Sequence, residues 1–158
     1  MILGVDPGLR GAWALVPQTR PLSLYRWGLL PIRNGKFDSS KWFQELGGLK
    51  EWITVAVIEE PLSIRGRAVG SIATLFKNYG LCLQALLDLT PTLPVRTISP
   101  GCWQALAYAN APGVKKERSF WAVKKLFRRK IPNHDGIADA ALIAWWEWSR
   151  KNGGGSDI

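Results

Sequence analysis

Two residue types that build many metal sites and small scaffolds are scarce in this sequence of 158 residues. It contains two cysteines, Cys82 and Cys102, and one histidine, His134. Two cysteines are too few for a disulfide-stapled secreted fold, and they do not form a C-x-x-C pair. We therefore expect no zinc site of the cysteine and histidine type, which needs about four such ligands.

Long hydrophobic runs are also missing. No apolar stretch approaches the roughly 18 residues that a membrane span requires. The N-terminus has no basic segment followed by an apolar stretch and a small-residue cleavage site, so no secretory signal is expected. We expect no membrane partner and a cytoplasmic location, in a bacterium or a phage-infected cell, with an organelle as the alternative.

Acidic residues are outnumbered by basic ones. The chain has 12 Asp and Glu against 21 Lys and Arg, a formal net charge of +9. Hydrophobic residues make up 47%, enough to bury a core, so intrinsic disorder is not expected. A folded domain this basic usually has a polyanionic partner, most often nucleic acid.

The order of hydrophobic patterns predicts an α/β domain. Five short apolar runs have the length and composition of strands: residues 2–5, 11–16, 22–27, 54–58 and 95–98. Helical spacing or a helix start marks five more segments: residues 38–49, 70–89, 115–129, 134–148 and the segment that begins at Ser99-Pro100. We expect one domain over residues 1–150, a mixed five-stranded sheet flanked by helices, and a flexible tail at 151–158.

Carboxylates follow two of the predicted strands. Asp6 ends the first strand, and Glu59 and Glu60 end the fourth. If these strands are parallel neighbours, Asp6 and Glu59 emerge at the same edge of the sheet. Taken singly, Asp6 is also typical of a turn cap before Pro7-Gly8, and the two glutamates are typical of a solvated strand end.

Two further acids lie at the start of the last predicted helix. Asp135 and Asp139 are four residues apart, so they share a helix face. Asp135 alone would suit the positive end of the helix dipole. Asp139 lies in a run of small and apolar residues at 137–144, where a charge is costly. A functional role is therefore the better explanation for Asp139.

A cluster of four carboxylates is repulsive unless cations neutralise it. Hard divalent cations such as Mg²⁺ prefer oxygen ligands. Two such ions about 3.5–4 Å apart can clamp the attacking and leaving oxygens of a phosphodiester displacement. In a basic protein this combination predicts a nuclease, in which positive surfaces hold the nucleic-acid backbone and bound metal reaches the phosphate.

Three segments together resemble the RuvC family of Holliday junction resolvases, within the ribonuclease H-like superfamily. They are residues 2–8, 57–61 and 134–144, in the family's order, and the resemblance extends over residues 2–148. It is strongest to the phage and plant-organellar branch, through Asn78-Tyr79-Gly80, Ser99-Pro100 and Trp103. The resemblance implies a ribonuclease H-like fold.

The resemblance also implies an activity: a homodimer that cuts symmetric strands of a four-way DNA junction with Mg²⁺ or Mn²⁺, with two ions expected in each active site. Asp6, Glu59 and Asp139 match the family's catalytic and metal-binding acids, and Glu60 falls where a neutral Gln is common. Asp135 is expected to be the fourth. Because the last two acidic positions are often three residues apart and some relatives carry histidine at the earlier one, His134 is its rival.

Basic and aromatic residues near the predicted cleft are candidates for DNA binding. Arg65 and Arg67 lie in the loop after Glu59, and Lys115, Lys116 and Arg118 start a basic helix. Lysine and arginine bind phosphates without reading sequence. Tyr79 is a candidate for stacking on bases at an opened junction, with core packing as the alternative.

Two other functions use the same residues. A ribonuclease H-like nuclease acting on RNA or RNA-DNA hybrids would need the same four acids but no dimer. A non-catalytic junction-binding protein would have little reason to keep four costly acids. An actin-like sugar kinase also begins with an Asp-Gly strand turn, but it needs two such domains, so the length excludes it.

Overall fold

A computed structural model describes residues 1–8, 10–19, 22–62, 69–89, 91–127 and 132–153, without the side chains of residues 115 and 116. Its strands are β1 (Ile2–Asp6), β2 (Ala12–Val16), β3 (Arg26–Leu29), β4 (Ile32–Arg33), β5 (Lys36–Phe37), β6 (Val55–Glu59) and β7 (Val95–Ile98). Its helices are α1 (Ser39–Gly47), the 3-10 turn Lys50–Trp52, α2 (Val69–Leu89), α3 (Pro100–Ala107), α4 (Lys115–Leu126) and α5 (Asp135–Lys151). The predicted α/β class is confirmed.

Five strands form one mixed sheet in the order β3-β2-β1-β6-β7. The hairpin β1–β2 is antiparallel, as the short Pro-Gly turn predicts, whereas β1 pairs with β6 in parallel and β6 with β7 in parallel. The strands β4 and β5 form a separate two-residue hairpin that the sequence patterns do not predict. The sheet therefore brings the ends of β1 and β6 to one edge.

Helix α5 lies directly on β1. A Cβ atom at Gly4 would collide with the carbonyl oxygen of Ala140, so only glycine lets the helix approach this closely. The helix face toward the sheet is small, and Ala140, Ala141 and Ala144 are fully buried. This contact fixes the first turns of α5 above the end of β1.

The opposite face of the sheet is covered by α1 and α2, with Trp42, Leu46 and Leu86 in its core. On the α5 side, Trp145 and Trp148 are buried in the core. Among the helices described, none is long and apolar enough to cross a membrane.

Some predicted boundaries are wrong. The third strand is predicted at 22–27 but spans Arg26–Leu29, because Leu22 and Leu24 are buried as loop residues and pairing with β2 starts at Arg26. Helix α4 ends at Leu126 instead of residue 129, since Phe127 is already extended. Helix α5 continues to Lys151, and residues 154–158 of the predicted tail lie outside the described residues, so the domain boundary stays a prediction.

Candidate active site

Asp6 and Glu59 lie side by side at one edge of the sheet. Val5 pairs with Ile58 in the parallel ladder, so the next residues on the two strands are these two acids. The charge of Glu59 contributes to raising the pKa of Asp6, which places the two carboxylates within electrostatic reach. The condition for this placement, that β1 and β6 are parallel neighbours, is met.

Glu60 has different surroundings. Burial, and then the charge of Glu60, raise the pKa of Tyr79 on α2. Glu60 therefore lies near the α2 side of the sheet, whereas Glu59 lies near Asp6. This difference supports Glu59 as the active-site candidate of the pair.

Asp135 and Asp139 line the same open cleft as Asp6, with a volume of about 430 Å³. The two residues are one helical turn apart on α5, as their spacing predicts. Gly136 allows the close approach, because a Cβ at this position would lie 2.6 Å from the backbone oxygen of Arg10. The structure thus brings together the acids that the sequence singles out.

The cluster is electrostatically costly. Burial, followed by the charges of Glu59 and Asp139, raises the pKa of Asp6 well above its ordinary value, and Asp135 adds to the effect. The backbone N–H of Gly8 donates to Asp6 Oδ1 at 2.9 Å and opposes the shift. Asp6 therefore caps its turn and also belongs to the acidic cluster, and its catalytic role stays a prediction.

Neutral donors hold two of the acids. The indole Nε1–H of Trp103 donates to Glu59 Oε1 at 2.9 Å. The hydroxyl of Ser119 donates to Asp139 Oδ1 at 2.6 Å, and the hydroxyl of Tyr108 lies 2.6 Å from Ser119 Oγ. These contacts come from α3, from the residue after it and from α4, so three segments besides the sheet and α5 contribute to the site.

The donor set suits a hard divalent cation. All four candidate ligands are carboxylates, which Mg²⁺ and Mn²⁺ prefer. Burial and then the neighbouring acids raise the pKa of Asp6, and a bound cation would favour its charged form. Within the part of the chain that the structure describes, no three carboxylate, imidazole or thiolate groups are close enough to share one ion. For three of these carboxylates to share one ion, their side chains have to move closer together.

His134 immediately precedes α5 and makes no side-chain cap there. Its Nδ1 is buried and lies 3.9 Å from Asp135 Oδ1, beyond hydrogen-bond distance. Asp135, in contrast, lines the cleft. The geometry favours Asp135 over His134 as the fourth candidate ligand. The role of Asp135 as a metal ligand stays a prediction.

The predicted DNA contacts are only partly described. Arg65 and Arg67, and the side chains of Lys115 and Lys116, lie outside the described residues. Arg118 is exposed, donates its Nε–H to Gly113 O at 2.7 Å, and its charge reaches Tyr108 beside Asp139. Tyr79 is partly buried and packs against the core cluster under α2, which favours a packing role.

Sequence reasoning missed three residues at this site. Arg10 lines the acidic cleft. The sequence feature that could have indicated it is a basic residue four positions after Asp6. Ser119 and Tyr108 were missed because nothing in a serine or tyrosine of a helical region indicates an acid 20 or 31 residues away in the chain. Only the packing of α3 and α4 against α5 makes these contacts.

The mixed sheet, with an acidic edge crossed by a helix that carries two more acids, defines a ribonuclease H-like fold. No protein-family model and no curated protein matches the sequence. Solved structures do. The chain resembles T. thermophilus RuvC in complex with a Holliday junction substrate, with a TM-score of 0.72 and 16% identity over 97% of this chain and 96% of that one.

Two further solved structures have a similar fold. Thermus thermophilus RuvC by itself matches with a TM-score of 0.60 and 17% identity over 97% and 96% of the two chains. The yeast mitochondrial Holliday junction resolvase Ydc2 matches with a TM-score of 0.57 and 15% identity over 95% and 79%. At such identities the likeness establishes a shared fold, and the fold implied by the sequence motifs is confirmed.

Proposed function

We propose that this protein is a divalent-metal-dependent endonuclease that resolves four-way DNA junctions by paired hydrolysis. The observation that carries the proposal is the convergence of Asp6, Glu59, Asp135 and Asp139 on one edge of a RuvC-like fold. The net charge of +9 supports a nucleic-acid substrate. The likeness to structures of junction resolvases, one of them bound to a junction, supports the choice of substrate.

In this proposal the four acids hold Mg²⁺ or Mn²⁺, with two ions expected. The cations would supply charge stabilisation for the phosphodiester and activation of water. Asp6 and Glu59 approach from the sheet, and Asp135 and Asp139 approach from α5. Arg10 lies beside them in the cleft, where its guanidinium is placed to hold a DNA phosphate near the acids.

We further propose a homodimer formed through α2. One face of this helix packs on the sheet through Cys82, Ala85 and Leu86. The side opposite carries Val69, Phe76 and Leu87, which are separated by 7 and 11 residues and are exposed. An exposed apolar stripe opposite a core face is typical of an oligomer interface. A two-fold dimer would place equivalent sites on opposing strands of a junction.

The dimer is tested by light scattering of the DNA-free protein. We expect about twice the 17.6 kDa chain mass, and a monomer for the double variant Phe76→Asp, Leu87→Asp. Thr92→Asp, at an exposed residue outside α2, is the control. A wild-type mass of one chain at micromolar concentration would contradict the dimer.

The activity is tested on a synthetic mobile four-way junction with Mg²⁺ or Mn²⁺, beside matched duplex and RNA-DNA hybrid. We expect paired, symmetric nicks in the junction and little cleavage of the controls. Faster cleavage of the hybrid would favour a ribonuclease H-like activity. Binding without cleavage under every metal would favour a junction-binding protein. Localisation in the cytoplasm stays a prediction.

A further inference from the structure

Trp103 is fully buried, and its only polar side-chain atom points at an acid of the candidate site. Its indole Nε1–H donates to Glu59 Oε1 at 2.9 Å. A hydrogen bond to one oxygen fixes the plane of a carboxylate and therefore the direction of its other oxygen. Within the described residues, the indole nitrogens of Trp13 and Trp42 are buried without a partner. The core thus accepts unpaired indoles elsewhere, and the Trp103 hydrogen bond is not a general requirement of packing.

Asp139 is held by a chain of two hydroxyls. Ser119 Oγ donates to Asp139 Oδ1 at 2.6 Å, and Tyr108 OH lies 2.6 Å from Ser119 Oγ. A serine hydroxyl has a single hydrogen, so Tyr108 must be the donor to Ser119. Burial, and then the charge of Asp139, raise the pKa of Tyr108, so the phenol stays protonated. Hydrogen bonds in such a chain strengthen one another.

The two contacts are linked at the C-terminal end of α3. Trp103 lies in α3 and Tyr108 directly follows it, and their rings pack edge to face with centroids 5.6 Å apart. Trp103 donates directly to Glu59 of β6, and Tyr108 reaches Asp139 of α5 through Ser119 of α4. The packed pair of rings therefore connects the donor of one carboxylate to the hydroxyl that supports the donor of the other.

We propose that Trp103, Ser119 and Tyr108 are positioning residues that orient the carboxylates of Glu59 and Asp139 for binding a divalent cation. The inference rests on the proposed metal-dependent function of this site. Neutral donors suit the task because they fix a carboxylate and leave its charge to attract the cation. Partners that orient metal ligands in this way are worth about 10- to 100-fold in metal affinity or activity.

The test uses Trp103→Phe, Ser119→Ala and Tyr108→Phe in the full chain, with Mn²⁺ as the probe. Titration calorimetry without DNA measures Mn²⁺ affinity, and junction cleavage is measured against Mn²⁺ concentration. We expect Trp103→Phe and Ser119→Ala each to weaken Mn²⁺ binding about 10-fold or more, with cleavage recovering at high Mn²⁺. Metal-free junction binding should stay near wild type. Trp42→Phe, which removes a buried indole nitrogen without a partner, is the matched control and should leave Mn²⁺ affinity unchanged.

A double-mutant cycle tests whether Tyr108 acts on Asp139 through Ser119. Tyr108→Phe should weaken Mn²⁺ binding in the wild-type background, by less than Ser119→Ala, and have no further effect when Ser119 is already alanine. Wild-type Mn²⁺ affinity in both Trp103→Phe and Ser119→Ala would overturn the inference, even with a lowered melting temperature. If Ser119→Ala does not fold, Trp103→Phe and Tyr108→Phe decide. If the wild type binds Mn²⁺ but cuts no junction, the proposed function is wrong, and the Mn²⁺ affinities of the variants still decide the inference. If the wild type binds no Mn²⁺, both the proposed function and the inference are wrong.

Discussion

Two of the acids on helix α5, Glu147 and Asp139, have opposite surroundings. Near its C-terminus, Glu147 is fully buried and lies 3.6 Å from Arg96, 3.1 Å from Arg150 and 3.6 Å from Lys151. Near its N-terminus, Asp139 lies among other acids, accepts a hydrogen bond from a neutral serine and helps to raise the pKa of Asp6. The same residue class on the same helix is therefore neutralised by the protein's own cations at one end and concentrated with like charges at the other.

The difference separates a structural acid from a candidate functional one. Glu147 ties α5 to β7 through Arg96 and to its own last turn, an arrangement complete within the chain. At the N-terminal end, burial and the charges of neighbouring acids raise the pKa of Asp6, and this raised pKa is a cost to the folded state. Such perturbed groups cluster at functional sites, which is why a cation from solution belongs to the proposed function.

The largest expected effect is on catalysis. Asp6→Asn, Glu59→Gln and Asp139→Asn should each lower the cleavage rate by at least about 10³-fold, because each removes a metal-binding charge. Junction affinity should persist or increase, since phosphate affinity comes from Lys and Arg. Single-turnover cleavage and a binding assay measure the two effects. Glu60→Gln is the control; if it is the inactive variant while Glu59→Gln cuts, the assignment of the pair is reversed.

The complementary change is at the other end of α5. Glu147→Gln should lower the free energy of unfolding by about 2 kcal/mol, because three partly exposed cations lose their common partner. For a chain of this size the melting temperature should fall by about 4–8 °C. Cleavage below the transition should be normal. Glu51→Gln, in an exposed pair with Lys50, is the control. An equal loss of stability in Glu51→Gln would show that the burial of Glu147 does not cause the destabilisation.

Removing a charge from the acidic end should instead stabilise the metal-free protein. The pKa of Asp6 is raised by folding from about 3.8, so the folded state binds its proton more tightly. Ionising Asp6 therefore costs stability as the pH rises from this value through the raised pKa. Asp6→Asn should melt a few degrees higher than wild type at neutral pH in EDTA.

This stabilisation should disappear below pH 3.8, where Asp6 is protonated in both states. Melting curves of wild type and Asp6→Asn across pH measure the difference. Asp88→Asn, at an exposed acid of α2, is the control. A pH-independent gap between Asp6→Asn and wild type would mean that repulsion at Asp6 is not its cause.

The smallest effect concerns DNA affinity. Replacing Lys115 and Lys116 together by alanine should reduce the slope of log affinity against log salt by about one for each phosphate that the protein no longer neutralises. Lys124→Ala with Lys125→Ala, at exposed residues of the same helix, is the matched control. If the two double variants have equal salt slopes, Lys115 and Lys116 contribute no more to phosphate binding than Lys124 and Lys125, and the prediction is wrong.

Much of the fold was predictable from local patterns. The apolar runs predicted β1, β2, β6 and β7, and helical spacing predicted α2 and α5, because burial on one face imposes a period on the sequence. The third strand was misplaced because Leu22 and Leu24 alternate like a strand yet are buried as loop residues. Burial alone does not distinguish these two cases.

The candidate site was predictable to a similar degree. The sequence by itself determined which acids are candidates, because Asp6 and Glu59 end predicted strands and Asp139 lies in an apolar helical run where a charge is costly. Their catalytic role stays a prediction. Motif order then indicated the RuvC-like fold. The spacing of Asp135 and Asp139 placed both on one face of α5 without any tertiary information.

Only the tertiary structure decided how these acids are held. The parallel pairing of β1 with β6 puts Glu59 beside Asp6, and the close approach at Gly4 sets α5 above them. The hydrogen bonds of Trp103 and Ser119 join residues 44 and 20 positions apart. Contacts at such separations leave no periodic signal in a sequence, because they depend on how whole elements pack and not on the local geometry of the chain.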